Sequence, residues 1–66
     1  MQYQLTATLK GTGTSRYTFT ETDDVHAIST AIGEILDRAM NDTIWAKGAI
    51  ELRNKNGDLI ESMDAK

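Results

Sequence analysis

The sequence predicts an α+β domain of order ββαββ, in which four strands form one antiparallel sheet and one helix packs on one face of it. Three observations predict this class: period-two alternation in both halves of the chain, one helical apolar stripe between them, and strong turn signals. Residues 1–66 have the length of a single compact domain. The sequence leaves open how the two hairpins adjoin in the sheet.

The first hairpin is predicted from strands over 2–10 and 15–20. Apolar side chains occupy every second position of these stretches: Tyr3, Leu5, Ala7, Leu9, Tyr17 and Phe19. This alternation with a polar opposite face is typical of half-buried antiparallel strands. Gly11 and Gly13 favour a turn between the strands, because glycine adopts a positive φ without steric cost.

A helix is predicted from about residue 22 to residue 40. Thr22 suits the N-cap, and Asp23 and Asp24 then lie in the first turn, where the helix dipole favours negative charge. Apolar residues recur at spacings of three and four: Val25, Ile28, Ala31, Ile32, Ile35, Leu36 and Ala39. We expect this stripe to cover the apolar face of the sheet.

A second hairpin is predicted in the last third of the chain. Alternation indicates a third strand over 44–53, in which Gly48 favours a bulge, and a fourth strand over 58–63. Residues 65–66 form a short tail. The segment 54–57, Asn-Lys-Asn-Gly, is typical of a type I turn that ends on a left-handed glycine. The register that this turn favours sets the residues at 52 and 60 opposite each other.

One candidate interaction surface is the sheet face turned away from the helix. In the predicted register its apolar members are Trp45, Ala49, Leu59 and Met63. Large apolar groups on an uncovered face are typical of interfaces, and Trp is enriched at binding hot spots. The expected occupant is a partner protein or a second copy of this chain. A bulge at Gly48 would instead turn Trp45 inward.

The second candidate surface is the helix itself. Residues 21–42 carry six carboxylates against Arg38, a net charge of −5, whereas the remaining residues have a net charge of +2. The carboxylates predicted to bind a partner are Asp23, Asp24, Glu34 and Asp37. A negative surface steers association with a basic partner, so we expect a host protein with a basic nucleic-acid-binding surface. The alternative is a solvated face that keeps a small protein in solution.

The composition excludes several kinds of chemical site. The chain has no Cys, which removes disulfides, thiolate metal sites and cysteine nucleophiles. It also lacks the phosphate-loop, zinc-protease and nucleophile-elbow motifs. His26 is the only imidazole, and we expect it to face solvent. We therefore expect no catalytic residue, no metal and no cofactor, and a minimal enzyme or ligand binder based on His26 is the third alternative.

The sequence also restricts the expected partners. No apolar run approaches the roughly 18 residues of a membrane span, so no membrane partner is expected. The first 20 residues lack the charged-then-apolar pattern of a secretion signal, which favours a cytoplasmic protein. The net charge of −3 disfavours direct nucleic-acid binding, because such proteins usually present a basic face.

A family resemblance rests on Thr22-Asp23-Asp24, which opens a helix after a hairpin, and on the closing segment 50–57, in a short acidic chain without Cys or Pro. In this pattern the chain resembles the small accessory proteins of bacteriophages and mobile elements, the anti-CRISPR proteins among them. The resemblance implies a non-enzymatic inhibitor in the host cytoplasm that blocks a nucleic-acid-binding defence complex by stoichiometric occlusion. The alternative is a small structural or homo-oligomeric subunit whose outer sheet face self-associates.

Overall fold

The computed structural model describes residues 1–63, so the predicted tail at 65–66 lies outside the described residues. The elements are β1 Gln2–Leu9, β2 Gly13–Thr20, α1 Asp24–Ala39, α2 Thr43–Lys47, β3 Ala49–Asn54 and β4 Leu59–Ser62. All four strands form one antiparallel sheet in the order β2-β1-β3-β4. The predicted α+β class is confirmed, with α2 as an additional element. The two hairpins adjoin through β1 and β3, the central strands.

The predicted first hairpin forms, but its turn is shorter than predicted, because β1 ends at Leu9 and β2 already begins at Gly13. β1 and β2 pair in continuous register from Gln2 opposite Thr20 to Leu9 opposite Gly13. The turn has a φ of 85° at Gly11 and of 120° at Gly13. At these values the backbone of a residue with a side chain would be strained. The inward positions of β1 are buried, which places the polar positions of both strands on the opposite face of the sheet.

The second hairpin confirms the predicted turn but not the predicted register beyond it. The Asn54 amide donates to the Asp58 carbonyl over 3.1 Å, and Gly57 takes a φ of 88°. However, Leu52 lies opposite Glu61 rather than Ile60, because the pairing shifts between Leu52 and Arg53. Ile60 is an extra residue in β4 that forms a bulge in the strand.

The expected third strand over 44–53 is wrong in its first half. Residues Thr43–Lys47 form the five-residue helix α2, and β3 begins only at Ala49. The Asp42 carboxylate accepts a hydrogen bond from the Ile44 amide over 3.1 Å and so caps this helix. The Gly48 amide closes its last turn by donating to the Ile44 carbonyl over 2.9 Å.

The core lies between the sheet and the two helices. Its largest fully buried side chains are Trp45, Tyr3, Leu5, Ile50 and Leu52. Trp45 projects from α2 and donates its indole N–H to the Ser15 hydroxyl over 3.2 Å. The guanidinium of Arg38 lies 4.2 Å from the centre of the Tyr17 ring and 5.6 Å from the indole of Trp45, which adds cation–π attraction.

Helix α1 differs from the prediction in its N-cap and in the residues that it buries. Its N-cap is Asp23 rather than Thr22, because the Asp23 carboxylate accepts from the His26 amide over 2.9 Å. Its buried residues are Ala27 and Ala31, with Ile28, Ile35 and Ala39 partly buried beside them. Three members of the predicted core stripe are exposed instead, namely Val25, Ile32 and Leu36.

Among residues 1–63, neither helix combines the length and the apolar character that a bilayer crossing requires.

Gly48 is expected to be required for the junction of α2 and β3. An added Cβ would lie 2.8 Å from the Thr8 carbonyl oxygen and closer still to that of Ile44, both of which are backbone atoms. Gly48→Ala should therefore lower the free energy of unfolding by about 1–3 kcal/mol in urea titrations.

Gly33→Ala is the matched control, because nothing lies within 4 Å of its added Cβ. This change should raise the free energy of unfolding by up to about 1 kcal/mol, since Ala is the better helix former. Equal effects of the two changes would contradict the close packing at Gly48.

Candidate partner-binding surfaces

The predicted apolar surface on the outer sheet face does not form. Trp45 is 1% exposed, because helix α2 turns it into the core instead of presenting it on a strand. Met63 is partly buried and packs against the core, and its amide donates to the Ile50 carbonyl over 2.7 Å. Only Ala49 and Leu59 of the four predicted residues are exposed. The expected position of the other two is therefore wrong.

The outer sheet face is polar. Its β1 and β2 positions are Gln2, Gln4, Thr6, Thr8, Thr14, Arg16, Thr18 and Thr20. On β3, Arg53 pairs with Glu51 over 3.0 Å and donates to the Gly57 carbonyl over 2.9 Å. Such a surface is well solvated, so it does not need a partner to cover it.

The acidic set on α1, defined as Asp23, Asp24, Glu34 and Asp37, begins with a capping pair. The Asp23 carboxylate lies 2.7 Å from Nδ1 of His26 and also accepts from the His26 amide. The hydrogen bonds from the backbone and then the side chain of His26 lower the pKa of Asp23. In return, the hydrogen bond to Asp23 raises the pKa of His26 above its ordinary 6.5. The predicted solvent exposure of His26 is confirmed.

Asp24 ties the start of α1 to the sheet. Its carboxylate accepts a hydrogen bond from the phenol of Tyr3 over 2.7 Å. Burial, followed by this hydrogen bond, raises the pKa of Tyr3 to about 12. Sequence reasoning placed Tyr3 in the core but missed its polar partner, which lies 21 residues away in the chain. The bond fixes the first turn of α1 over β1.

The remaining members of the acidic set have different surroundings. Glu34 forms an ion pair with Arg38 over 3.4 Å, which offsets its charge. Asp37 is exposed. At 3.6 residues per turn, Asp24 and Asp37 lie about 140° apart around the helix. The set is therefore a belt around one side of α1 rather than a single flat patch.

Sequence reasoning missed an apolar surface on α1. Four large side chains are exposed there: Val25 by 75%, Ile32 by 50%, Leu36 by 65% and Met40 by 81%. We call these four residues the exposed stripe. The signal was present in the sequence, because apolar residues cover a wider arc of α1 than one sheet can bury.

Two shallow depressions lie at the end of the sheet beside the 54–57 turn. Their volumes are about 260 and 300 Å³, at the lower end of the range for small-molecule sites, and both include Gln2, Asn54 and Lys55 in their walls. Within the described part of the chain, no group of three or more His, Asp or Glu side chains is placed to hold a metal ion.

Comparison with protein-family models, curated proteins and solved structures finds no match. The resemblance to bacteriophage accessory proteins therefore stays a prediction.

The His26–Asp23 pair gives a measurable titration. The pKa of His26, followed by NMR, should lie above 6.5, and Asp23→Asn should return it toward that value. Glu51→Gln on the outer sheet face is the control and should leave it unchanged.

The same pair should affect stability with a defined sign. A raised His26 pKa stabilises the fold at low pH, and this contribution is lost as pH rises through the raised value. A lowered Asp23 pKa stabilises the fold at higher pH, and this contribution is lost as pH falls through the lowered value. The pair should therefore contribute most between these two pKa values. A difference in stability between the native chain and Asp23→Asn that stays constant from below the lower pKa to above the higher one would contradict it.

Proposed function

We propose that this chain is a non-enzymatic module that binds a basic protein surface through its helical layer, formed by α1 and α2, and blocks that surface by occupying it. The observation that carries the proposal is the net charge of −5 over residues 21–42, against +2 over the rest of the chain. Opposite charge on a partner would steer association and raise its rate.

The accessibility of the carboxylates supports this function. Asp37 is exposed, and Asp23 and Asp24 are exposed as well although each accepts a hydrogen bond. Accepting a hydrogen bond does not remove charge, and the lowered pKa of Asp23 keeps its carboxylate ionised. Of the acidic set, only Glu34 has an arginine beside it.

The rigidity of the carboxylates supports it further. Asp23 is fixed as a helix cap and Asp24 is held by the buried Tyr3, so binding would order few new side chains. Helix α1 has 16 residues and is about 24 Å long. A helix of this length with negative charge along one side suits an elongated basic groove.

Grooves that bind nucleic-acid backbones have this shape and charge, because they neutralise phosphates with Lys and Arg. The specific form of the proposal is therefore an inhibitor of a host nucleic-acid-binding complex. The bacteriophage origin implied by the family resemblance is part of this proposal. One inhibitor molecule would occlude one groove, without any chemical step.

The test starts with capture of host proteins on the immobilised chain. The captured protein should bind nucleic acid, and one equivalent of the chain should displace that nucleic acid. Because exposed charges are screened by ions, its affinity for the chain should fall steeply as salt increases.

Asp37→Lys should weaken this binding by at least about tenfold, or ~1.4 kcal/mol. Glu61→Lys makes the same change of charge on β4 and should have little effect. Binding that is insensitive to salt, or equally sensitive to the two substitutions, would exclude the helical layer as the contact surface.

A further inference from the structure

The exposed stripe on α1 is a large apolar surface, and the proposed function does not use it. Its four side chains expose on the order of 500 Å², which is comparable with the largest apolar patch of a typical monomer. The whole described chain exposes 4328 Å². Scattered apolar residues are normal on a surface, but an apolar patch of this size gathered on one side of a helix is often functional.

We propose that the exposed stripe is the contact face of a homodimer in which α1 packs antiparallel against α1 of a second copy. This surface is separate from the acidic set, so the dimer does not depend on the proposed inhibitor function.

The positions of the stripe suit a two-fold axis. Reversing α1 about the point between residues 32 and 33 sets Val25 against the partner's Met40 and Ser29 against the partner's Leu36. Ile32 then lies beside the axis. A symmetric dimer needs one surface that is complementary to itself, and this reversal provides it.

The spacing within the stripe also suits helix packing. Val25, Ser29, Ile32 and Leu36 follow one another at intervals of four, three and four residues. These intervals form the seam along which two helices pack at a small crossing angle. The small Ser29 gives room for the large Leu36 of the second copy.

The area of the stripe sets an upper limit on the size of this dimer interface. Interface cores are about 65% apolar, so complete burial of an apolar area near 500 Å² corresponds to at most roughly 800 Å² on each partner. That limit equals the standard size of a specific interface. A second copy that buries the whole stripe therefore reaches this size without an additional binding element.

The helix dipoles favour the antiparallel direction. An antiparallel pair sets the N-terminus of each α1 near the C-terminus of the partner's α1, so the two dipoles oppose each other favourably. A parallel pair would instead bring the two N-termini together.

The first experiment is sedimentation equilibrium of the full chain over micromolar to millimolar concentrations. The native chain should approach twice the monomer mass. Leu36→Arg should weaken self-association by at least about thirtyfold, while its circular dichroism and its urea midpoint at low concentration stay native.

Leu59→Arg is the matched control, since Leu59 is 49% exposed on the outer sheet face. This variant should dimerise like the native chain. A native chain that stays monomeric at the highest concentration, or equal losses in the two variants, would overturn the proposal.

A second experiment tests the direction of pairing, and it is simple because the chain has no native Cys. When the single variants Val25→Cys and Met40→Cys are mixed in equal amounts and oxidised, the mixed disulfide should exceed either homodisulfide by far more than the twofold ratio that random pairing gives. A ratio at or below that random value would overturn the antiparallel arrangement.

Discussion

The enclosure of Trp45 between the sheet and the two helices determines how the helical layer is arranged. The indole is 1% exposed and hydrogen-bonded to Ser15 of β2, which anchors α2 against one end of the sheet. Arg38 of α1 extends over the same aromatic group and over Tyr17. Gly48 joins α2 to β3. It lies so close to the Thr8 carbonyl that the Cβ of any other residue would clash with it.

Helix α1 has one apolar face on the core and a second one in solvent. Ala27 and Ala31 are buried on the first face, and Ile28 and Ile35 are partly buried beside them. The larger side chains of the exposed stripe remain in solvent. The acidic set lies on other parts of the helix circumference. One short chain thus presents an apolar surface and a negatively charged surface that do not compete for the same residues.

Local sequence signals were sufficient for most of the fold. Alternation predicted β1 and β2. The predicted 54–57 turn also forms, with the Asn54–Asp58 backbone hydrogen bond and a left-handed Gly57. The strand predicted over 44–48 was wrong, because a run of five residues is too short to distinguish a strand from a turn and a half of helix. The Asp42 cap and the burial of Trp45 decided between them.

The candidate site was predictable in charge but not in contacts. The carboxylates of the acidic set were evident from the sequence, whereas the Tyr3–Asp24 bond joins residues that only the tertiary fold brings together. Thr22 and Asp23 are both good N-cap residues, so the sequence alone does not show which of the two caps α1. Val25, Ile32 and Leu36 of the exposed stripe were assigned to the core, because periodicity gives the width of an apolar arc but not which part of it is covered.

The most direct test of this account is acrylamide quenching of tryptophan fluorescence, because Trp45 is the only Trp in the chain. With the indole enclosed in the core, quenching of the native protein should be several-fold weaker than quenching in urea. The emission should also shift to longer wavelength when the protein unfolds. Native quenching as strong as in the unfolded chain would place Trp45 in solvent and contradict the arrangement of the helical layer.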